Sequence, residues 1–101
     1  MEQQGQTNVR SRIFVKEPTM YDVLMLNDDF TTMEFVVDVL RTVFFHDASQ
    51  SEKLMLEIHN NGQCIVGTYT YDVAQSKVQR ATMMAREEGF PLRLKVNQRI
   101  D

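Results

Sequence analysis

The chain has 101 residues, 43% apolar and 25% charged, with a formal net charge of −3, which suits one domain burying roughly two thirds of its surface and leaves little room for an elaborate active-site cavity. The acidic balance argues against nucleic acid as the main partner, no apolar run approaches the ~20 residues of a membrane helix, and the polar start MEQQGQTNVRSR lacks the apolar centre of a signal peptide. The single cysteine, Cys64, excludes an intramolecular disulfide and a cysteine-built zinc site, so the expectation is a small cytoplasmic domain.

Residues 1–17 are polar, contain Gly5 and show no sustained periodicity, so they read as a flexible N-terminal extension ahead of a core domain over residues 18–101. Ile13, Phe14 and Val15 interrupt that polarity as a short strand, a contact patch or stray apolar residues. Tyr21 to Leu26 is a β-prone run stopped by the turn-forming Asn27-Asp28-Asp29. Thr31 with Glu34 fits a capping box, and Met33, Val36, Val37, Leu40, Val43 and Phe44 follow at helical spacing. Ser49 with Glu52 repeats that signature ahead of Leu54, Met55, Ile58 and His59, and Gly62 suits a left-handed helix terminus. Cys64 to Tyr69 reads as a second strand with Gly67 at a bulge. Thr70 caps a third helix with the stripe Ala74, Val78, Ala81 and Ala85, and Gly89 and Pro91 end it. Leu92, Leu94 and Val96 alternate with Arg93, Lys95 and Asn97 as a half-exposed final strand. The order β-α-α-β-α-β makes a two-layer α+β domain with helices on one face of a three-stranded sheet.

Asn27-Asp28-Asp29, at the end of a strand, carries two carboxylates and an amide. That suits a cation, metal or ammonium, and it equally suits plain turn chemistry. His59 shares a helix edge with Met55 and Ile58, either as a ligand or as a structural residue at a helix end. His46 reads as a surface residue in a loop, and Cys64, with Ile65 and Val66 beside it, as a buried thiol. Of the seven methionines, Met33 and Met55 fall near the polar cluster, where flexible thioethers line an adaptable pocket or simply fill core. A metal-assisted hydrolase would need Asp28, Asp29 and His59 to converge with a fourth ligand that the sequence does not show.

The stretch Leu26-Asn27-Asp28-Asp29-Phe30-Thr31-Thr32-Met33-Glu34-Phe35-Val36 resembles the signature of the ClpS family of adaptor proteins. Leu54 to His59, Gly67 to Thr70 with Ala74 and Lys77, Ala85-Arg86 and Pro91-Leu92 continue the likeness in family order from about Pro18 to Val96. The resemblance implies three antiparallel strands with three helices, a fold also similar to the C-terminal domain of the ribosomal stalk protein, so fold alone leaves a stalk-like interaction domain open. It implies a monomeric, non-catalytic protein without cofactor. Such a protein captures chains that begin with Leu, Phe, Tyr or Trp and delivers them to a Clp/Hsp100 AAA+ unfoldase of the ClpA or ClpC type.

Carried over residue by residue, Asn27, Asp29 and His59, with Asp28 adjacent, would hold the substrate's α-ammonium group. That group is largely cationic at neutral pH and offers three donors to an amide, a carboxylate and an imidazole. An imidazole accepts only while neutral, so binding is expected to weaken in acid. Met25 or Leu26, Thr31, Met33, Val36, Met55, Ile58 and Leu92 would form the pocket for the first side chain, with Met33 a gate against β-branched residues. Asp72 and Lys77 match positions that contact the unfoldase's N-terminal domain, and the extension matches a segment engaged during delivery. The chain departs from the family pattern at Thr32 (usually Pro), Ile58 (commonly Val), Phe90 (usually His), Asn97 (commonly acidic) and Asp72 (commonly Glu).

Overall fold

A computed structural model describes residues 18–100 of the chain. The elements follow in the order β1 (Tyr21–Leu26), α1 (Met33–Thr42), α2 (Ala48–Asn61), β2 (Gln63–Tyr69), α3 (Tyr71–Glu87) and β3 (Arg93–Gln98). The expected β-α-α-β-α-β order is borne out. The strands form one antiparallel sheet in the order β2-β1-β3, with the first strand at its centre. The extension over residues 1–17 lies outside the described residues, as does the Ile13 to Val15 patch.

Alternation along β1 decides which face is covered. Val23 and Met25 are fully buried, while Asp22, Leu24 and Leu26 fall on the opposite, half-exposed face. Across from them, Leu94 and Val96 of β3 pair with Met25 and Val23 and pack against the same core. On the helical side that core takes Val36, Val39 and Leu40 from α1, Leu54, Met55 and Ile58 from α2, and Ala74, Ala81 and Ala85 from α3. The alanine stripe lets α3 lie close to the sheet, and Val78 is half-buried beside it. Opposite Val23 and Leu24 the register of β2 shifts, leaving Val66 as the extra residue beside Gly67. The Tyr69 ring packs over Gly67, where a side chain would strike it.

Two helix starts differ from expectation. The cap of α1 is Thr32, whose hydroxyl accepts from the Phe35 amide at 3.1 Å, while the amide and hydroxyl of Thr31 both donate to Asp28 in the loop ahead of the helix. So Thr32 rather than Thr31 acts as the cap. The cap of α2 is Asp47 rather than Ser49, its carboxylate accepting from the Gln50 amide at 2.7 Å. Thr70 stands at the cap position of α3 without a side-chain capping bond. The helix ends agree with the sequence: Gly62 has φ +89° and Gly89 φ +80°. His46 also differs from its reading as a surface loop residue. It is half-buried, and its Nε2 lies 2.7 Å from the carbonyl of bulge residue Val66, tying the α1–α2 loop to β2.

Candidate functional site

The loop between β1 and α1 is shaped by Asp28. One carboxylate oxygen accepts from the amides of Phe30 at 2.8 Å and Thr31 at 2.7 Å, and the other accepts from the Thr31 hydroxyl at 2.7 Å. Burial pushes this carboxyl up, but the Thr31 amide and hydroxyl, the Phe30 amide and the Arg93 guanidinium together outweigh it. The group therefore titrates below the usual carboxylate range. Asp28 is thus the organiser of the turn, and its acceptors are largely used within it. The turn-chemistry reading holds for this one residue.

Its neighbours are arranged differently. The Asn27 amide nitrogen donates to the carbonyl of Gly62 at 2.8 Å, and the Gly62 amide closes onto Ile58 at 2.9 Å. These two bonds set the end of β1 against the last turn of α2, which carries Ile58 and His59. Between them lies a hollow of about 250 Å³. Asn27, Asp28, Asp29 and His59 form its polar side, and Met33, Val36, Met55 and Ile58 its apolar side, with Thr31 between. The side chains of Asn27, Asp29 and His59 are exposed and enter no hydrogen bond among the described residues. Val36, Met55 and Ile58 are rooted in the core, whereas Met33, the first residue of α1, is 46% exposed at the mouth. The carbonyl end of α2 adds partial negative charge beside the carboxylates. An apolar recess next to unengaged acceptors can hold an ammonium group with a hydrophobic side chain attached.

The structure brings nine of the expected residues to this hollow and sets three apart. Met25 is fully buried and Leu92 is 1% exposed, both within the core, and Leu26 falls on the other face of the sheet. Strand alternation separates Met25 from Leu26. Asp72 and Lys77 meet elsewhere, in a groove of about 330 Å³ shared with Val43, Phe45 and Val73. There Lys77 Nζ donates to the Val43 carbonyl at 2.7 Å. Burial first, and the Arg80 charge second, pull this ammonium below the ordinary lysine value. Phe45, which the sequence reading left unassigned, lies in that groove with its ring exposed.

Catalytic alternatives gain no geometry. The Cys64 thiol is pushed up to about 11 by burial and secondarily by Glu57, so at neutral pH it is protonated rather than nucleophilic. Among the described residues no three of His, Cys, Asp and Glu cluster as a metal ion requires, although Asp28, Asp29 and His59 share one hollow. No helix there is long and apolar enough to cross a membrane.

Residues 16–95 match the sequence model of the family described as ATP-dependent Clp protease adaptor protein ClpS. An ATP-dependent Clp protease adapter protein ClpS from Acetivibrio thermocellus is 51% identical over 77 residues, 76% of this chain and 78% of that protein. The Syntrophus aciditrophicus protein of the same description is 44% identical over 84 residues, 83% of this chain and 78% of its own length. Among solved structures, Agrobacterium tumefaciens ClpS2 bound to L-phenylalaninamide superposes with a TM-score of 0.79 at 35% identity, covering 82% of this chain and all of that one. With the family model matched over residues 16–95 and relatives of that description covering most of its length, the chain belongs to the ClpS family of Clp protease adaptors.

Proposed function

We propose that the chain is a non-catalytic adaptor that binds proteins beginning with a bulky hydrophobic residue and passes them to a Clp unfoldase and its protease. The observation that carries this reading is the set of unengaged acceptors on Asn27, Asp29 and His59 facing the apolar wall of Met33, Val36, Met55 and Ile58. The ligand of the Agrobacterium ClpS2 structure supports it, since L-phenylalaninamide has a free α-amino group and an aromatic side chain.

The energetics are adequate. Burying a Leu or Phe side chain contributes about 1.5–3 kcal/mol, and each hydrogen bond to a charged group about as much. After the cost of association, micromolar or tighter binding follows. On this reading Asp28 holds the loop while Asn27, Asp29 and His59 meet the ammonium, and Met33 stands as the gate. Asp72 and Lys77 mark the face turned to the N-terminal domain of a ClpA- or ClpC-type unfoldase, and the chain works as a cytoplasmic monomer.

Fluorescence anisotropy with peptides starting Leu, Phe, Val and acetyl-Leu tests the reading. Leu and Phe peptides should bind, and the Val and acetylated peptides should be at least tenfold weaker. Equal affinity for all four would refute it. A stoichiometric metal ion found by equilibrium dialysis would favour hydrolysis instead.

A further inference from the structure

Between the first turns of α1 and the last turn of α3 runs a groove of about 530 Å³, about twice the volume of the hollow. Its floor is apolar. Phe35 and Phe90 meet edge to face with ring centroids 5.0 Å apart, Met84 completes the surface, and all three are half-buried against the core. Its rim carries four exposed carboxylates, Glu34 and Asp38 from α1 and Glu87 and Glu88 from the end of α3. None of the four has an ion pair or a side-chain hydrogen bond among the described residues. Glu87 and Glu88 close α3, where the carbonyl end of a helix repels carboxylates. Arg86, the basic residue of that turn, donates from Nη1 to the carbonyls of Phe90 at 2.8 Å and Leu92 at 3.0 Å, so its guanidinium is spent on the backbone. The groove therefore joins half-covered aromatic surface to negative charge that no described residue pairs with.

We propose that this groove is an intramolecular seat for the chain's own basic segment, residues 10–16. That segment reads Arg-Ser-Arg-Ile-Phe-Val-Lys, three cations and three apolar residues without a carboxylate. Alternate residues of an extended run share a face, so Arg10, Arg12, Phe14 and Lys16 meet the groove together, three charges for the rim and one ring for the floor. Covalent reach agrees with charge. Leu26, at the far end of β1 from Tyr21, pairs with Arg93, three residues beyond Phe90, so the groove lies about one strand length, ~17 Å, from the start of β1. Phe14 precedes Tyr21 by seven residues, up to ~23 Å of extended chain. The tether supplies a high effective concentration, while exposed ion pairs are individually weak and screened by salt. The seat is therefore occupied at low ionic strength and released as salt rises. Met33 and Phe35, two residues apart on α1, point to opposite sides of the helix, so a seated segment leaves the hollow open. The proposal stands independently of the adaptor reading.

The test is paramagnetic broadening of amide signals in the full chain, with a nitroxide carried on Ser11→Cys in a Cys64→Ser background. Ser11 alternates with Arg10 and Arg12, so the label stands away from the groove. At about 0.05 M salt the amides of Phe35, Asp38 and Glu88 should lose at least half their intensity, and they should regain it at about 0.5 M. Arg12→Glu/Lys16→Glu should abolish the loss, as should Glu87→Lys/Glu88→Lys, with the rest of the amide spectrum unchanged as the sign that the fold is kept. Combining the two pairs of reversals should bring at least half of the broadening back. Full intensity in the groove at low salt would overturn the seat. Broadening that survives both reversals, or that the combination fails to restore, would overturn charge pairing as its basis. Broadening seen only when a nitroxide-bearing chain is mixed with an isotope-labelled chain lacking the nitroxide would give the groove to a second copy's segment and overturn the intramolecular seat.

Discussion

The backbone amide of Asn27 donates to the carbonyl of Gly62 at 2.8 Å, joining the end of the central strand to the left-handed residue that terminates α2. Through this bond the asparagine and the histidine of the proposed ammonium site share one hollow. Gly62 at φ +89° has open space where a side chain would stand, so any substitution cost there is conformational rather than steric crowding by neighbours. Gly62→Ala should therefore destabilise the fold by about 1 kcal/mol and lower Tm by roughly 4–8 °C. It should also weaken Leu-peptide binding, because the acceptors lose their alignment. Thermal melts and anisotropy on the same sample check both effects.

Asp28 sets an acid limit on the loop. Its native carboxyl titrates below the ordinary value of about 3.9, so the stability it contributes is fully present above that value. As pH falls through the depressed native value, the carboxylate is neutralised and that contribution disappears. Asp28→Asn, which alters all three bonds, should cost about 1–2 kcal/mol at neutral pH and flatten the acid limb of the stability profile. Urea melts at neutral pH and near pH 3 measure the difference between the two proteins, which should shrink in acid.

The division of labour within the acidic turn is separately testable. Asp29 makes no hydrogen bond among the described residues, so Asp29→Asn should leave stability within about 0.5 kcal/mol of wild type. If its carboxylate meets the ammonium, the same change should weaken Leu-peptide binding by about tenfold or more, the equivalent of one charge-assisted bond. Stability and affinity should thus respond in opposite proportion at two adjacent aspartates.

Met33 lies at the mouth of the hollow on the first turn of α1, with half of its side chain exposed. Met33→Ala removes bulk there without opening a core cavity. Peptides starting with Ile or Val should gain affinity toward that of Leu peptides, and unchanged discrimination in the anisotropy assay would end the gate role.

His46 supplies a stability prediction independent of function. Its ring nitrogen is 2.7 Å from the Val66 carbonyl at the β2 bulge, where that oxygen is part-buried. His46→Ala should cost about 1–2 kcal/mol in chemical denaturation and leave peptide affinity unchanged.

Hydrophobic spacing alone made the element order readable, because periods of two and near four are local properties of the chain. The glycine helix ends at Gly62 and Gly89 were readable for the same reason, since positive φ selects residue type directly. Cap positions differ where more than one side chain near a helix start can accept. Thr31 and Thr32 are equivalent in a one-dimensional reading, and Asp28 separates them by holding both the amide and the hydroxyl of Thr31 within the loop. His46 reads from the sequence as a surface residue because its partner, the Val66 carbonyl, is placed by a bulge on a different element.

The candidate site divides along the same line. The acidic turn, the apolar stripes of α1 and α2 and the likeness to an adaptor family were all present in the order of residues. Which of those side chains face one another was not. Pairing of β1 between β2 and β3 turned Met25 inward and Leu26 outward, and Leu92, just ahead of β3, went into the core. Capping at Gly62 carried His59 to Asn27, and α3 brought Lys77 under the ring of Phe45. Local patterns encode how a segment folds, whereas a binding surface is a product of distances between segments, and those are set by packing of the whole core.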